Sequence, residues 1–219
     1  MIQAIIFDMD GLLVDSEPLW REAEKIVFKT VDIHLSDPDF EHFVGFKINE
    51  VVDFWYNHKP WKNKSKSDVE NEILDELEFL IDTQAVAKPG VEQIITFFKN
   101  KKLPLAIASS SPMVIISSVV KKLEIAHHFK TIHSAETEKY GKPHPAVYLA
   151  ATRQLNLNPA NCLVFEDSFN GLISAKAART KTVSVPEGDA FNQTRFDIAD
   201  LKLRSLLDFT EEHWNKLNK

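Results

Sequence analysis

The chain has 219 residues, of which 44% are hydrophobic, and its formal net charge is -6 at pH 7. This length allows one large domain or two small ones, and the acidic balance argues against a nucleic-acid or anionic-membrane partner. The one cysteine, Cys162, excludes an internal disulfide framework. The sequence shows no apolar run of membrane-spanning length and no signal-peptide pattern, so we expect a cytoplasmic protein. We also expect a monomer.

The first predicted element is a short buried strand, Ala4 to Phe7, which ends in two carboxylates, Asp8 and Asp10. Buried charge is costly unless it is paired or bound to a metal, so this pattern suggests a functional site. Asp8 could attack an electrophile without a separate base, and Asp10 could protonate a leaving group. Two anions facing a phosphate would require a hard cation, usually Mg²⁺. On its own, the pattern is equally typical of an acidic turn.

The segment that follows, from 15 to 87, shows helical spacing and no convincing strand. Ser16 is a possible N-cap with Pro18 in the first turn of a helix. A capping box at Ser67 and Glu70 predicts the start of a later helix. We therefore expect an all-helical module here.

From residue 88 onwards, predicted strands and helices alternate. The predicted strands are Leu105 to Ala108, Phe129 to His133, Cys162 to Phe165 and Lys181 to Val185; the predicted helices are Val91 to Asn100, Met113 to Leu123, Ala146 to Leu155 and one that opens at Asn170. Such alternation implies an α/β fold: a Rossmann-like parallel sheet core with helices on both faces. The first strand belongs to this sheet, so we expect residues 1–14 and 88–219 to form the α/β core domain and residues 15–87 to form an inserted all-α cap domain.

Three of the predicted strands end in polar residues. Besides Asp8 and Asp10, these are the serines 109–111 and the pair Glu166-Asp167. Each motif alone is common in turns or helix starts, but the carboxyl ends of parallel strands meet at one edge, where open α/β sheets bind ligands. The acids could hold a hard metal, and a serine hydroxyl at a helix start suits phosphate oxygens. Lys142, between a glycine and a proline, would add a cation.

In this order, the four motifs resemble the haloacid dehalogenase superfamily of phosphatases, and the resemblance covers essentially the whole chain. It implies that Asp8 is the nucleophile and that Asp10 is the acid/base. It further implies that Ser109, with Ser110, binds the phosphoryl group and that Lys142 orients the nucleophile and the phosphate. The helical insertion is similar to the α-helical cap of this superfamily.

The resemblance also implies a metal site. Mg²⁺ would be held by Asp8, Asp167 and the backbone carbonyl of Asp10, with Glu166 contributing directly or through water. Asp10 argues against carbon–halogen cleavage, since the dehalogenases lack the second carboxylate of the first motif. A small phosphorylated metabolite is the partner that we expect.

The cap narrows the resemblance to the β-phosphoglucomutase-like, CbbY-type branch. Its segments 15–20, 51–56 and 60–61 are similar to those of bacterial phosphatases that act on 2-deoxyglucose 6-phosphate and hexitol phosphates. The related mutase carries a cap histidine where this chain has Trp20, and a phosphate-binding arginine where it has Ile48. These departures favour hydrolysis over mutase chemistry, although Lys47 could still offer a cation to the cap side.

Three alternatives to a phosphatase stay open at this point. One is phosphoryl transfer of the β-phosphoglucomutase type. Another is a receiver-like signalling domain, which the position of Asp10 and the helical insertion argue against. The last is a non-catalytic protein that binds a phosphorylated ligand, which a lost motif residue would support; none is lost.

Overall fold

A parallel sheet lies at the centre of the protein, whose computed structural model describes residues 1–40, 43 and 46–219. Within these residues the sheet has six strands in the order β3-β2-β1-β4-β5-β6. The strands are β1 (Ala4–Phe7), β2 (Leu105–Ser109), β3 (Thr131–Ser134), β4 (Cys162–Glu166), β5 (Lys181–Ser184) and β6 (Leu201–Lys202). Because β1 pairs with β2 on one side and β4 on the other, the strand that carries the first acidic motif is central.

Helices alternate with the strands along the chain, and those after residue 90 cover both faces of the sheet. The helices are α1 (Glu17–Thr30), α2 (Asp37–Phe40), α3 (Ile48–His58), α4 (Lys66–Gln84), α5 (Val91–Asn100), α6 (Met113–Lys122), α7 (Ala146–Leu155), α8 (Phe169–Ala177) and α9 (Glu211–Leu217). Ile5 and Phe7 belong to one apolar cluster with residues of α5 and α6, whereas Ala4 and Ile6 belong to another with residues of α7 and α8. This alternation is that of a strand buried on both faces, and it confirms the predicted fold class.

The helices α1–α4 lie between β1 and α5 in the chain, as predicted for the insertion. Two short segments, 13–15 and 86–88, connect them to the sheet and pair with each other; we call these segments the neck. Val14 and Ala87 form an antiparallel bridge there, and the Lys88 N–H donates to the Leu13 carbonyl at 3.1 Å. The division into a core domain and a cap domain stays a prediction, with bounds that fall at this neck.

Two helix starts differ in detail from the prediction. The capping box of α4 is formed by Ser65 and Asp68, which exchange hydrogen bonds of 2.9 and 3.0 Å, and not by Ser67 and Glu70. Ser16 precedes α1 as expected, but its hydroxyl makes no capping hydrogen bond. It donates instead to Asp10, at 2.6 Å.

The short elements α2 and β6 and the C-terminal helix α9 were not predicted. Helix α9 had a usable signal, since Thr210 caps it and two acids occupy its first turn. Among the helices that the structure describes, none combines the length and the hydrophobicity that a bilayer span requires.

Candidate active site

Three carboxylates gather where β1 and β4 end. Asp8 directly follows β1, Glu166 closes β4 and Asp167 comes next, and one oxygen of each lies within 4.8 Å of the others. The ammonium of Lys142 lies 2.8 Å from Asp8 Oδ1 and 2.5 Å from Glu166 Oε1. Asp8, Glu166 and Lys142 are all buried. At this edge of the sheet, two of the three acids therefore contact the same ammonium group.

The shortage of positive charge appears in the pKa values. Burial, and then repulsion by Glu166, raise the pKa of Asp8 to about 8 against the opposing effect of Lys142. Burial, Glu166 and Asp8 raise the pKa of Asp167 well above its usual value. Burial alone would lower the pKa of Lys142, but the two carboxylates beside it raise the value, so the ammonium stays charged.

This cluster has the composition of a hard-cation site. Asp167 Oδ1 is buried and has no hydrogen-bond partner among residues 1–40, 43 and 46–219. An oxygen-only ligand set with surplus negative charge fits a divalent cation such as Mg²⁺. A cation bound here would supply the charge that Lys142 alone does not.

Glu166 is held from every side by the protein. Its Oε1 accepts from Lys142 and, at 2.5 Å, from the hydroxyl of Tyr148 on α7. Its Oε2 accepts from both the backbone N–H and the hydroxyl of Ser168. Tyr148 is fully buried, and sequence reasoning missed it because no motif marks a tyrosine in the middle of a core helix.

Two glycines make room for these carboxylates. A Cβ on Gly11, whose φ is +73°, would lie 2.2 Å from Asp167 Oδ2. A Cβ on Gly171 would lie 1.8 Å from Glu166 Oε1. Any larger residue at either position would displace an acid of the cluster.

Asp10 lies beside the cluster and is surrounded by donors. One of its oxygens accepts from the Ser16 hydroxyl at 2.6 Å and from the Trp20 indole N–H at 3.2 Å. The other accepts from Ser109 at 3.2 Å and from Ser111 at 2.7 Å. Ser16 and Trp20 come from the helical insertion, so this carboxylate is held jointly by the insertion and by the end of β2 with the loop that follows it.

The three serines at 109–111 therefore do not all contact the same groups. Ser109 and Ser110 were predicted to bind a phosphoryl group, and both are buried and line the same cavity as Asp8. Ser111 was not singled out among the three serines, yet it makes the shorter hydrogen bond to Asp10. Only the folded chain shows which hydroxyl faces the carboxylate.

A cavity of about 70 Å³ separates these groups from the helical insertion. Six of the predicted site residues line it: Asp8, Asp10, Ser109, Ser110, Lys142 and Asp167. The seventh, Glu166, lies behind them and is fully buried. The helical insertion lines the opposite side of the cavity with apolar side chains and with one face of α1. The apolar residues are Phe40, Phe43, Phe46, Ile48 and Val51, and the α1 residues are Glu17, Trp20, Arg21 and Glu24. The volume is below the roughly 300–1,000 Å³ usual for ligand pockets, so an organic phosphate would enter only if the helices move outwards.

Comparison with known proteins gives consistent matches. The chain is 38% identical to "Hexitol phosphatase B" of Escherichia coli strain K12 over 210 residues, which cover 95% of each protein. Its structure is similar to that of CbbY from Rhodobacter sphaeroides in complex with phosphate, with a TM-score of 0.87, 25% identity and coverage of 95% and 96%. It is also similar to a β-phosphoglucomutase from Clostridium difficile, with a TM-score of 0.86, 26% identity and coverage of 100% and 98%.

The two structural neighbours confirm the predicted branch. A family model described as haloacid dehalogenase-like hydrolase matches residues 2–179, the span that contains all four strand-end and loop motifs. On this match the chain belongs to the haloacid dehalogenase-like hydrolases.

Proposed function

We propose that this hydrolase is a Mg²⁺-dependent phosphatase that acts on small sugar or sugar-alcohol phosphates through a phosphorylated Asp8. The observation that carries the proposal is the buried Asp8, held 2.8 Å from Lys142 within an acidic cluster and next to an independently held Asp10. The broader prediction, a phosphoric monoester hydrolase, is confirmed by the family and by the relative named a hexitol phosphatase.

The proposed metal site consists of Asp8, Asp167 and the backbone carbonyl of Asp10. Mg²⁺ bound there would supply positive charge to the phosphoryl oxygens. We propose that Glu166 acts mainly by holding Lys142 in place, because both of its oxygens already accept hydrogen bonds from protein donors.

The first proposed step is attack on phosphorus by a carboxylate oxygen of Asp8. The bond between that oxygen and phosphorus forms as the bond to the sugar oxygen breaks, and Asp10 gives its proton to the departing oxygen. Lys142 holds the nucleophile and, with the hydroxyls of Ser109 and Ser110, binds the phosphoryl oxygens. For this, the Ser109 hydroxyl would turn from Asp10 towards the substrate.

The second proposed step returns Asp8 to its starting form. Asp10, now deprotonated, takes a proton from a water molecule that attacks phosphorus, and the bond between phosphorus and Asp8 breaks. Inorganic phosphate leaves. Asp10 needs a fixed position for both steps, and the hydrogen bonds that it keeps from Ser16, Trp20 and Ser111 provide one.

The mutase alternative is weakened by the position of two cap residues. Lys47, which could have offered a cation to a second phosphate, donates instead to the backbone carbonyl of Glu138 in the core, at 3.0 Å. Trp20 donates to Asp10. Both contacts also support the proposal that residues 15–87 act as a cap over a core formed by 1–14 and 88–219.

A screen for phosphate release tests the function directly. Sugar phosphates and hexitol phosphates should be hydrolysed with Mg²⁺ present, and activity should disappear with EDTA and return when Mg²⁺ is added. Full activity in metal-free buffer would overturn the metal proposal. Interconversion of glucose 1-phosphate and glucose 6-phosphate, primed by a bisphosphate, would favour the mutase. The cytoplasmic location and the monomeric state stay predictions.

A further inference from the structure

One face of α1 presents charged side chains to the cavity that the proposed chemistry does not use. Glu17, Arg21 and Glu24 line the cavity with Trp20, at the spacing that places residues on a single helix face. Trp20 reaches Asp10, the group proposed to protonate the leaving oxygen. Whatever is attached to that oxygen therefore extends towards this face.

Glu24 is the residue of this face that most needs a partner. This residue is only 7% exposed, yet it makes no hydrogen bond or ion pair with any other residue in the described parts of the chain, 1–40, 43 and 46–219. Burial, and then repulsion by Glu17, raise the pKa of Glu24 to about 8, although Arg21 opposes this. A buried carboxyl group without a hydrogen bond costs free energy, which a polar ligand would recover.

Arg21 offers the complementary group. Its Nε is buried and likewise lacks a hydrogen-bond partner within the described residues. The cavity thus holds, three residues apart on one helix, an acceptor and a donor that the protein leaves unsatisfied.

A hydroxyl group can satisfy both, because it donates and accepts. Neighbouring hydroxyls of a sugar or sugar alcohol could donate to Glu24 and accept from Arg21, while the apolar side chains opposite contact its C–H groups. A second phosphate group would instead lie near two glutamates, Glu17 and Glu24, and near only one guanidinium group, that of Arg21. An alkyl chain would leave both polar groups buried and unpaired.

We propose that Glu24 and Arg21 bind hydroxyls of the leaving group and make the enzyme selective for polyol monophosphates over alkyl phosphates and bisphosphates. This inference rests on the proposed phosphatase function of the same site, whose chemistry it extends to the choice of substrate.

The wild-type enzyme provides the first test, with three compounds of equal chain length. The kcat/KM for sorbitol 6-phosphate should exceed that for n-hexyl phosphate by about 100-fold or more, because the alkyl chain would leave two buried polar groups without a hydrogen-bond partner. The kcat/KM for sorbitol 6-phosphate should also exceed that for sorbitol 1,6-bisphosphate by about tenfold or more, because the second phosphate of the bisphosphate would make an unfavourable contact between like charges. If the kcat/KM values for the three compounds lie within threefold of one another, the inference is overturned. Absence of phosphate release from any phosphate ester would overturn the proposed function itself.

Variants of α1 provide the second test. Glu24→Leu should lower the ratio of kcat/KM for sorbitol 6-phosphate to that for p-nitrophenyl phosphate by about 2- to 10-fold, the loss of one hydrogen bond to an uncharged carboxyl group. Glu24→Gln keeps an acceptor oxygen and should lower the ratio less. The matched control is Glu22→Leu, on the exposed side of the same helix, which should keep the wild-type ratio. An unchanged ratio in Glu24→Leu would refute the role of Glu24, and the wild-type comparison decides the inference even if that variant does not fold.

Discussion

Replacing Asp10 by asparagine separates its two proposed roles, and the structure indicates that the side chain would keep its position. The amide NH₂ cannot accept a hydrogen bond, and the Trp20 indole N–H cannot stop donating. The amide oxygen should therefore stay towards Trp20 and Ser16, with the NH₂ towards Ser109 and Ser111, whose hydroxyls can turn to accept. We expect a folded protein whose thermal midpoint differs from that of the wild type by no more than about 4 °C.

The kinetic effect should depend on the leaving group. A sugar alkoxide needs a proton to leave, so Asp10→Asn should slow both steps, each by about 10²- to 10⁴-fold. p-Nitrophenolate leaves without a proton, so Asp8 should still be phosphorylated at a rate close to that of the wild type. Hydrolysis of the phosphorylated Asp8 should then stall for want of a base, whichever group has left.

Rapid-quench measurements with both substrates test this reasoning. With p-nitrophenyl phosphate, the variant should release a burst of up to about one p-nitrophenolate per active site and then turn over slowly. With a sugar phosphate, no burst should be seen on that timescale. If the burst is lost equally with both substrates, Asp10 serves to hold the metal or the fold and does not transfer protons.

Three further predictions follow from the acidic cluster. Asp8→Asn should abolish turnover. Because it removes one of three clustered acids, it should not lower the thermal midpoint in metal-free buffer. A near-wild-type kcat in a verified sample would disprove the covalent route. Mg²⁺ should raise the thermal midpoint more at pH 8 than at pH 5. Folding raises the pKa of Asp8 from 3.8 to about 8, so the protein without metal loses stability as the pH rises through that range, and a bound cation offsets the loss. A larger Mg²⁺-induced rise of the midpoint at pH 5 than at pH 8 would contradict this reasoning. Tyr148→Phe removes a hydrogen bond to a buried carboxylate, which contributes about 1.5–3 kcal/mol, and should lower the midpoint by about 3–12 °C; calorimetry showing no change would mean that the Tyr148 hydroxyl adds nothing to the stability of the cluster.

The fold was predictable because its signals are local. The core strands β1, β2 and β4 are short and largely apolar, and the helix that follows each of them opens after a serine or a proline. The acids at 8, 10, 166 and 167 could be assigned to one edge because the carboxyl ends of parallel strands must meet. The start of α4 could not be chosen from the sequence, because Ser65 and Ser67 both precede an acid by three residues. Packing decides between them: the helix begins after Ser65, and Val69 in its first turns is fully buried.

What could not be predicted depends on contacts between residues far apart in the chain. The hydrogen bonds from Trp20 to Asp10 and from Tyr148 to Glu166 join different elements. Trp20 lies in a segment that the resemblance singled out, but nothing in the sequence indicates its contact with Asp10, and Tyr148 belongs to no motif. The same is true of Glu24, which reads as an ordinary helix glutamate until its burial is known. The two residues of β6 are too few to show an alternating pattern.

The paired neck has a consequence for how such a chain can change over evolutionary time. Since 13–15 and 86–88 are adjacent and hydrogen-bonded to each other, the helices between them begin and end at nearly one point. Their number and length can therefore vary without shifting the register of β1 against its neighbours, in the way that insertions between close chain ends are tolerated. An exchange of the helices between relatives, cut at the neck, should transfer substrate preference while the sheet and its acidic edge stay as they are.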